Sequence, residues 1–588
     1  MDENQLTLQA ALELHQSSDF PRAAEAYHQL LQREPQNLQI RFLLGTCLLQ
    51  MGRYPESVQM LEPLVEQPSA GPDVFNNLGI AYRATGNLEA AISSFQQAIK
   101  SNPEYSQAYF NLGEMLESGN APKEAAQCYR KALELVPTDH QVGAAYARVL
   151  TRLKNWKDAE NIYRQLLSAD SQNEEYQVQL AFVLASSRRL EEALAIYHDI
   201  LSRRPNFAEI LSSVCYLHER LGQFDEARRY ARQAIENKPD YAEGWNNLGS
   251  VALAEHQPEE ALGHFEKATT LAPDLAIAHL NIATTHLMLE RYAEGWAGYE
   301  QRFRLMPTRF PVYADHGWKG EAIPGKRLLV IADQGFGDTL QFVRFMSLAT
   351  DRSQADVTLL CQPELVSLLT PSLKEIGSVV TTIENLPAFD FQVPLCSLPG
   401  LLAVHDPQGI SASGYVEVPE SASVEITTFA RELDSNAKKI GITWRGNPEQ
   451  DRDQLRSCPL EKFARLFTLP GIQWVNLQID EDSRGDLENL ESSARILHAG
   501  PLLNDFRDTA WLMSELDLVL TVDTAASHLA GALGLPVWTL LCHTPDWRWQ
   551  LHGDTTTWYP QMKLFRQPAW NDWDSVIDAV MQRLQADT

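Results

Sequence analysis

Three chemically capable side chains stand close together near the carboxyl end of the chain: Asp523, Thr524 and His528. Thr524 and His528 are four apart, so on a helix they share a face. A hydroxyl, an imidazole and the free amides of a helix start would then converge on one point, which suits a phosphate. Asp523 and Thr524 are equally suited to capping that helix, and His528 to sitting as a surface histidine. A second set lies upstream. Arg456 and Ser457 precede Pro459 near a helix start, where an arginine and a hydroxyl suit a diphosphate. Arg456 could instead pair with Asp451 or Asp453. The third set is the loop Asp333-Gln334-Gly335-Phe336-Gly337-Asp338. Asp338 could face a cleft and take a proton from an acceptor hydroxyl, or only complement a helix dipole. The third glycine of a dinucleotide-type G-x-G-x-x-G pattern is replaced by Leu340, which argues against a nicotinamide site. No carboxylate or histidine cluster has metal-ligand spacing.

These residues need strands and helix starts to hold them, and the surrounding sequence supplies both. Leu518 to Val522 is an apolar strand, Ala525 to Leu533 has helical spacing, Gly534-Leu535-Pro536 ends it, and Val537 to Leu541 is a second strand. Strand, helix, strand is the unit of a parallel sheet, whose ligands sit past the carboxyl ends of the strands. LLVIA (328–332) and DVTLLC (356–361) are strands around a helix TLQFVRFMSLA (339–349), with another helix near 364–369 and a strand in 389–402. KKIGITWRGNP (438–448) is strand then loop, 451–467 becomes an amphipathic helix, and WVNLQ (474–478) is a strand. Residues 507–523 are a helix leading into the strand before Asp523, and 572–584 form a closing helix. Nine of the thirteen tryptophans follow residue 440. They could stack a base or sugar, though aromatics this dense more often form core.

With 588 residues the chain exceeds one ordinary core. Apolar content of 44% and charged content of 21% describe a soluble globular protein. A formal net charge of −28 argues against nucleic-acid binding and against an anionic membrane surface. The seven cysteines are scattered, odd in number and without a CxxC pair, which points to reduced thiols in a cytoplasmic protein. The acidic, amphipathic start MDENQLTLQAALELHQ does not read as a signal peptide, and no stretch reads as membrane-inserted.

The first half repeats with a period of 34. Gly45, Gly79, Gly113 and Gly249 share one register, and small residues recur at 23, 91, 125, 159, 193, 227 and 261. Aromatics recur at Tyr27, Phe95, Tyr129, Tyr163, Tyr197 and Phe265, and prolines close most units, from Pro35 to Pro307. Each of about nine units should be two amphipathic helices joined by a turn. The small residues let the helices approach, and the aromatics fill the space between neighbours. This pattern resembles the tetratricopeptide repeat, whose arrays usually bind proteins. Two positions before the register glycine stand Asn77, Asn111, Asn247 and Asn281, interrupted by Ala145, Gln179 and Ser213. An amide donates and accepts, so such a row could hold a peptide main chain, or be solvated or cap local turns. It resembles the asparagine ladder of O-linked N-acetylglucosamine transferases. The last unit, AEGWAGYEQRF (293–303), departs from the pattern and should pack against the α/β region after it.

The region after the repeats resembles glycosyltransferase family nine, the lipopolysaccharide heptosyltransferases. Their phosphate loop, Asp-Thr-Gly-x-x-His-Leu, is matched by Asp523-Thr524-Ala525-Ala526-Ser527-His528-Leu529, with Ala525 in place of the glycine. Gly337-Asp338 falls on their Gly-Asp motif. The resemblance implies an all-α repeat solenoid (1–307), a connector (308–325) and an α/β GT-B fold of two Rossmann-like lobes (326–437 and 438–588). It implies a donor site of Arg456, Ser457, Asp523, Thr524, Ala525, Ser527 and His528, and an acceptor-side loop of Gln334, Gly335 and Gly337. Asp338 would be the base and His528 a second catalytic residue. The substrate would be a nucleotide-sugar, with neither metal nor cofactor. Repeats followed by such a domain resemble bacterial repeat-bearing glycosyltransferases, including those thought to modify flagellin. The acceptor is then a protein serine or threonine. A scaffold whose transferase domain is inactive, and a glycolipid or polysaccharide transferase, are the competing expectations.

Overall fold

A computed structural model describes residues 7–305, 316–382, 388–407, 410, 414–448, 450, 452–480, 482–490 and 496–587. Pro307, Asp451 and the connector as far as residue 315 lie outside the described residues. The chain divides into two compact units, Met1–Pro205 and Asn206–Thr588. The first holds six helix pairs, from Leu8–Gln16 with Phe20–Arg33 to Glu174–Ser186 with Leu190–Arg203. The second begins with three more pairs, ending in Ala276–Met288 with Tyr292–Tyr299, and continues into two sheets. The sequence places a boundary at 307. The compact division falls earlier because the last repeats bury their side chains in the same core as the first sheet, with Tyr292, Trp296 and Tyr299 among them.

The repeat chemistry is visible in each pair. Ala23, Ala91, Ala125, Ala159, Ala193, Ala227 and Ala261 are completely buried. A Cβ added to Gly79 would lie 2.6 Å from the ring of Phe95, and Gly113 and Gly249 stand in the same relation to Tyr129 and Phe265. The register glycine and the register aromatic are therefore two halves of one contact. The turn between paired helices has its own period: positive φ recurs at 18, 52, 86, 120, 154, 188, 222, 256 and 290, only three of them glycine. A left-handed residue ends the first helix and reverses the chain.

The first sheet contains β1 (Arg327–Ile331), β2 (Asp356–Leu360), β3 (Gly377–Val380) and β4 (Phe391–Pro394), in the order β3-β2-β1-β4. The second contains β5 (Lys438–Thr443), β6 (Ile472–Asn476), β7 (Ile496–His498), β8 (Leu518–Val522), β9 (Val537–Leu541) and β10 (Met562–Arg566), in the order β10-β9-β8-β5-β6-β7. Every pairing is parallel. β8 and β9 are buried along their whole length, as strands covered on both faces must be. The sequence does not announce β3, β7 and β10, and all three are sheet edges. Edge strands need no continuous apolar run, because one side faces no partner. The helix expected over 339–349 is broken into Phe336–Phe342, a 3-10 turn and Met346–Ser353. The one expected within 451–467 is reduced to Asp453–Arg456 and Leu460–Phe463.

Candidate functional site

The strand order places a topological switch point between β5 and β8, the two central strands of the second sheet. Open parallel sheets bind ligands in the crevice past the carboxyl ends at that point. β8 ends at Val522, and the helix Ala525–Leu533 starts immediately after Asp523 and Thr524. Its cap residue, Thr524, is extended, and its side chain caps no helix amide. The hydroxyl instead meets that of Thr521 at 3.1 Å. The helix start is thus left without a side-chain cap, with Thr524, Ala525 and Ala526 partly exposed, and such an end attracts an anion.

The other wall of the crevice follows β5. A Cβ on Gly446 would come within 2.9 Å of the Arg456 guanidinium, so only a glycine lets the arginine lie across the loop. Arg456 is held loosely by Asp453 at 3.4 Å. Ser457 is committed to the loop: its hydroxyl accepts from the Gly446 amide and donates to Asp453, both at 3.0 Å. Ser527 is a correction. It is fully buried, with its hydroxyl 2.7 Å from that of Thr539 on β9, because its position on the helix faces the sheet.

The glycine loop of the first sheet faces this helix. A Cβ on Gly337 would lie 2.7 Å from His528 Cδ2 and 3.3 Å from Nε2. His528 is 6% exposed, and its Nδ1 shares a 2.8 Å hydrogen bond with the Tyr559 hydroxyl. Asp338 stands at the start of Phe336–Phe342, where one carboxylate oxygen accepts from the Gly335 amide at 3.1 Å. The other accepts from Arg548. Arg548 also reaches Asp546 at 2.8 Å and the Gln341 amide oxygen. Gln334 receives the Gln362 amide on its carbonyl at 2.8 Å, which fixes the base of the loop.

Electrostatics follow from this crowding. Burial, with Arg548, Arg344 and Arg456 adding repulsion, holds His528 well below the usual histidine range, so it is neutral. Burial and the nearby Asp546 push Asp523 up to about 6, against the pull of Arg456. Burial also raises Asp338, opposed by Arg548. The site concentrates three arginines in a chain of net charge −28.

The equivalent crevice of the first sheet, between β1 and β4, is filled from the ninth repeat. Arg302 is 1% exposed and donates to Asp333 beyond β1 at 3.1 Å and to Ser397 beyond β4 at 2.8 Å. Trp296, the added tryptophan of that repeat, is buried, and its indole donates to the Val404 carbonyl at 3.1 Å. Its ring meets Trp547 and Trp558 edge-on. The late tryptophans are accordingly core, not stacking platforms.

The asparagine row has a structural occupation. Asn77 donates to Thr46 at 3.1 Å, Asn111 to Asn76 at 2.8 Å, Asn247 to Ser212 and Asn281 to Asn246 at 2.9 Å. Each ties its repeat to the one before. Asn111 is buried, while Asn77, Asn247 and Asn281 are half-buried. Sequence reasoning overlooked Arg548 and Tyr559 as site residues. The only signal was their place in the DWRW and WYP clusters, which read as aromatic packing.

Among the described residues no helix is long and apolar enough to cross a membrane, and no group of three His, Cys, Asp or Glu is placed to hold a metal ion. Two tetratricopeptide-repeat family models match the chain, one over residues 76–140 and 216–276, the other over 14–75 and 115–181. Protein FlbA of Caulobacter vibrioides is 26% identical over 328 residues, 52% of this chain and 54% of that protein. Phagocyte signaling-impaired protein of Drosophila pseudoobscura pseudoobscura is 32% identical over 82 residues, 14% of this chain and 8% of that one. The chain thus spans about half the length of the first relative and little of the second. Among solved structures, YrrB, described as a tetratricopeptide-repeat protein with an unusual peptide-binding site, is 26% identical with a TM-score of 0.26, covering 32% of this chain and 97% of that one. The Cut9–Hcn1 hetero-tetramer of the anaphase-promoting complex gives 16% identity and a TM-score of 0.30, covering 48% and 57%. The matched helix pairs of this chain are tetratricopeptide repeats.

Proposed function

We propose that the chain is a glycosyltransferase of GT-B type that moves a sugar from a nucleotide-sugar to a serine or threonine of a protein held by the repeats. The observation that carries this reading is the open helix start after β8, at a switch point, flanked by Arg456 and faced by Asp338. Asp338 takes the proton as the acceptor oxygen attacks the anomeric carbon. The bond from that carbon to the phosphate oxygen breaks, and the nucleoside diphosphate leaves on the helix amides and Arg456. Neutral His528, oriented by Tyr559, lies against the loop that carries Asp338. Flagellin is the acceptor suggested by the architecture.

A second reading, an interaction scaffold without transfer, is favoured by one fact: both oxygens of Asp338 are already engaged, by Gly335 and Arg548. Intact-mass spectrometry of proteins co-purified from cells carrying the parent chain, Asp338→Asn or His528→Ala separates the two. A glycan mass lost in both variants supports transfer. The same mass in all three cultures overturns it.

A further inference from the structure

Beside the phosphate-type crevice lies a second cavity, of about 220 Å³, smaller than the roughly 300–1,000 Å³ that drug-sized ligands occupy. It opens past the carboxyl ends of β9 and β10, where Cys542 and Gln567 follow the strands, next to the end of β8 and Asp523. Its far wall is His256, from the turn of the eighth repeat. That ring stacks on His543 at 4.4 Å and meets His552 edge-on at 6.0 Å. His256 Nε2 donates to the His543 carbonyl at 2.8 Å, so its Nδ1 remains an acceptor.

The floor carries polar groups without partners. Gln567 is 4% exposed, and its amide oxygen accepts the backbone N–H of His543 and of Asn571, both at 3.1 Å. That fixes the amide, and its Nε2 has no hydrogen-bond partner. The buried His543 Nδ1 has none either. Buried donors left unmet are costly and mark a place for a ligand or water. The lining cation is already engaged: Arg566 donates to the carbonyls of Gly553, Gln550, Trp549 and His552. No Asp, Glu or Lys lines the cavity among the described residues.

A neutral ligand rich in hydroxyls, with C–H faces for imidazole and proline rings, fits these walls. We propose that the cavity is a subsite for an uncharged monosaccharide ring, and that the eighth repeat builds one wall of it. The assignment rests on the transferase reading only for the source of that ring, the sugar of the donor.

The test uses the full-length protein, saturation-transfer NMR with glucose, N-acetylglucosamine and rhamnose, and calorimetry with UDP, ADP, GDP and dTDP. Gln567→Glu keeps the two accepted hydrogen bonds and removes the donor. His552→Ala alters an exposed wall. A sugar should bind the parent chain about tenfold more tightly than either variant, with nucleotide affinity unchanged within about twofold. Absence of millimolar sugar binding, equal binding by both variants, or displacement of the sugar by a serine-rich peptide overturns the subsite. Sugar binding with this pattern but no nucleotide binding would sink the transferase reading and leave the subsite standing. Nucleotide binding without sugar binding would do the reverse.

Discussion

Replacing Arg302 by alanine should be among the most damaging single changes in the second compact unit. The guanidinium is 1% exposed, and the Asp333 carboxylate it neutralises is 0% exposed. Without Arg302, Asp333 keeps the Cys396 amide at 3.0 Å and no cation. Removing one partner of a buried pair costs about 3–5 kcal/mol, because a charge is left stranded. The ring contacts of Arg302 with Tyr299 and Phe303, at 4.8 and 4.1 Å, are lost as well. Arg302→Met with Asp333→Leu removes both charges and keeps volume, so the double variant should lie within about 1–2 kcal/mol of the parent. Urea unfolding followed by tryptophan fluorescence reads this directly, since Trp296, Trp547 and Trp558 pack together beside the same helix. An Arg302→Ala chain within about 1 kcal/mol of the parent, or a double variant as unstable as the two single changes added, would refute the reasoning.

Gly337→Ala should push the loop off His528 and destabilise the chain by about 1–3 kcal/mol, with transfer falling in the same assay that scores Asp338→Asn. Asp523 titrates at about 6 in the folded chain against 3.8 ordinarily, so folding binds a proton in that window. Its contribution to stability is present below the lower value and lost as pH rises through the higher. Asp523→Asn should therefore gain on the parent above about pH 6, read from urea midpoints between about pH 4 and pH 8; a gain confined to acid would contradict this. Asn281→Ala should lower stability by about 0.5–1.5 kcal/mol through the lost bond to Asn246, measured by thermal unfolding, and a silent change would free the residue for peptide binding alone.

Much of this protein is legible in the chain itself. The period of 34 implies nine helix pairs, and local chemistry suffices because each repeat packs chiefly on its neighbours. The strand–helix–strand unit from Leu518 to Leu541 is readable to the residue, with Gly534 at φ +74 ending the helix. Its apolar runs are continuous and its stop signal is stereochemical. The edge strands are not legible, because a strand paired on one side carries little pattern of its own.

The site itself needed the tertiary structure. Asp338, Gln341 and Arg548 meet across more than 200 residues, and nothing local to DWRW says that its arginine will bridge to the glycine loop. Arg302 reads as one more charge on a repeat helix until the crevice between β1 and β4 closes over it. Ser527 shares a motif with His528, yet turns to the sheet, while Asn77 and its counterparts donate an amide proton to the preceding repeat. Sequence alone determined which segments form helices and strands, since backbone propensity and hydrophobic period act over a few residues. Tertiary structure alone decided which polar side chains meet, because a hydrogen bond or ion pair in a desolvated crevice depends on what distant segments bring to it.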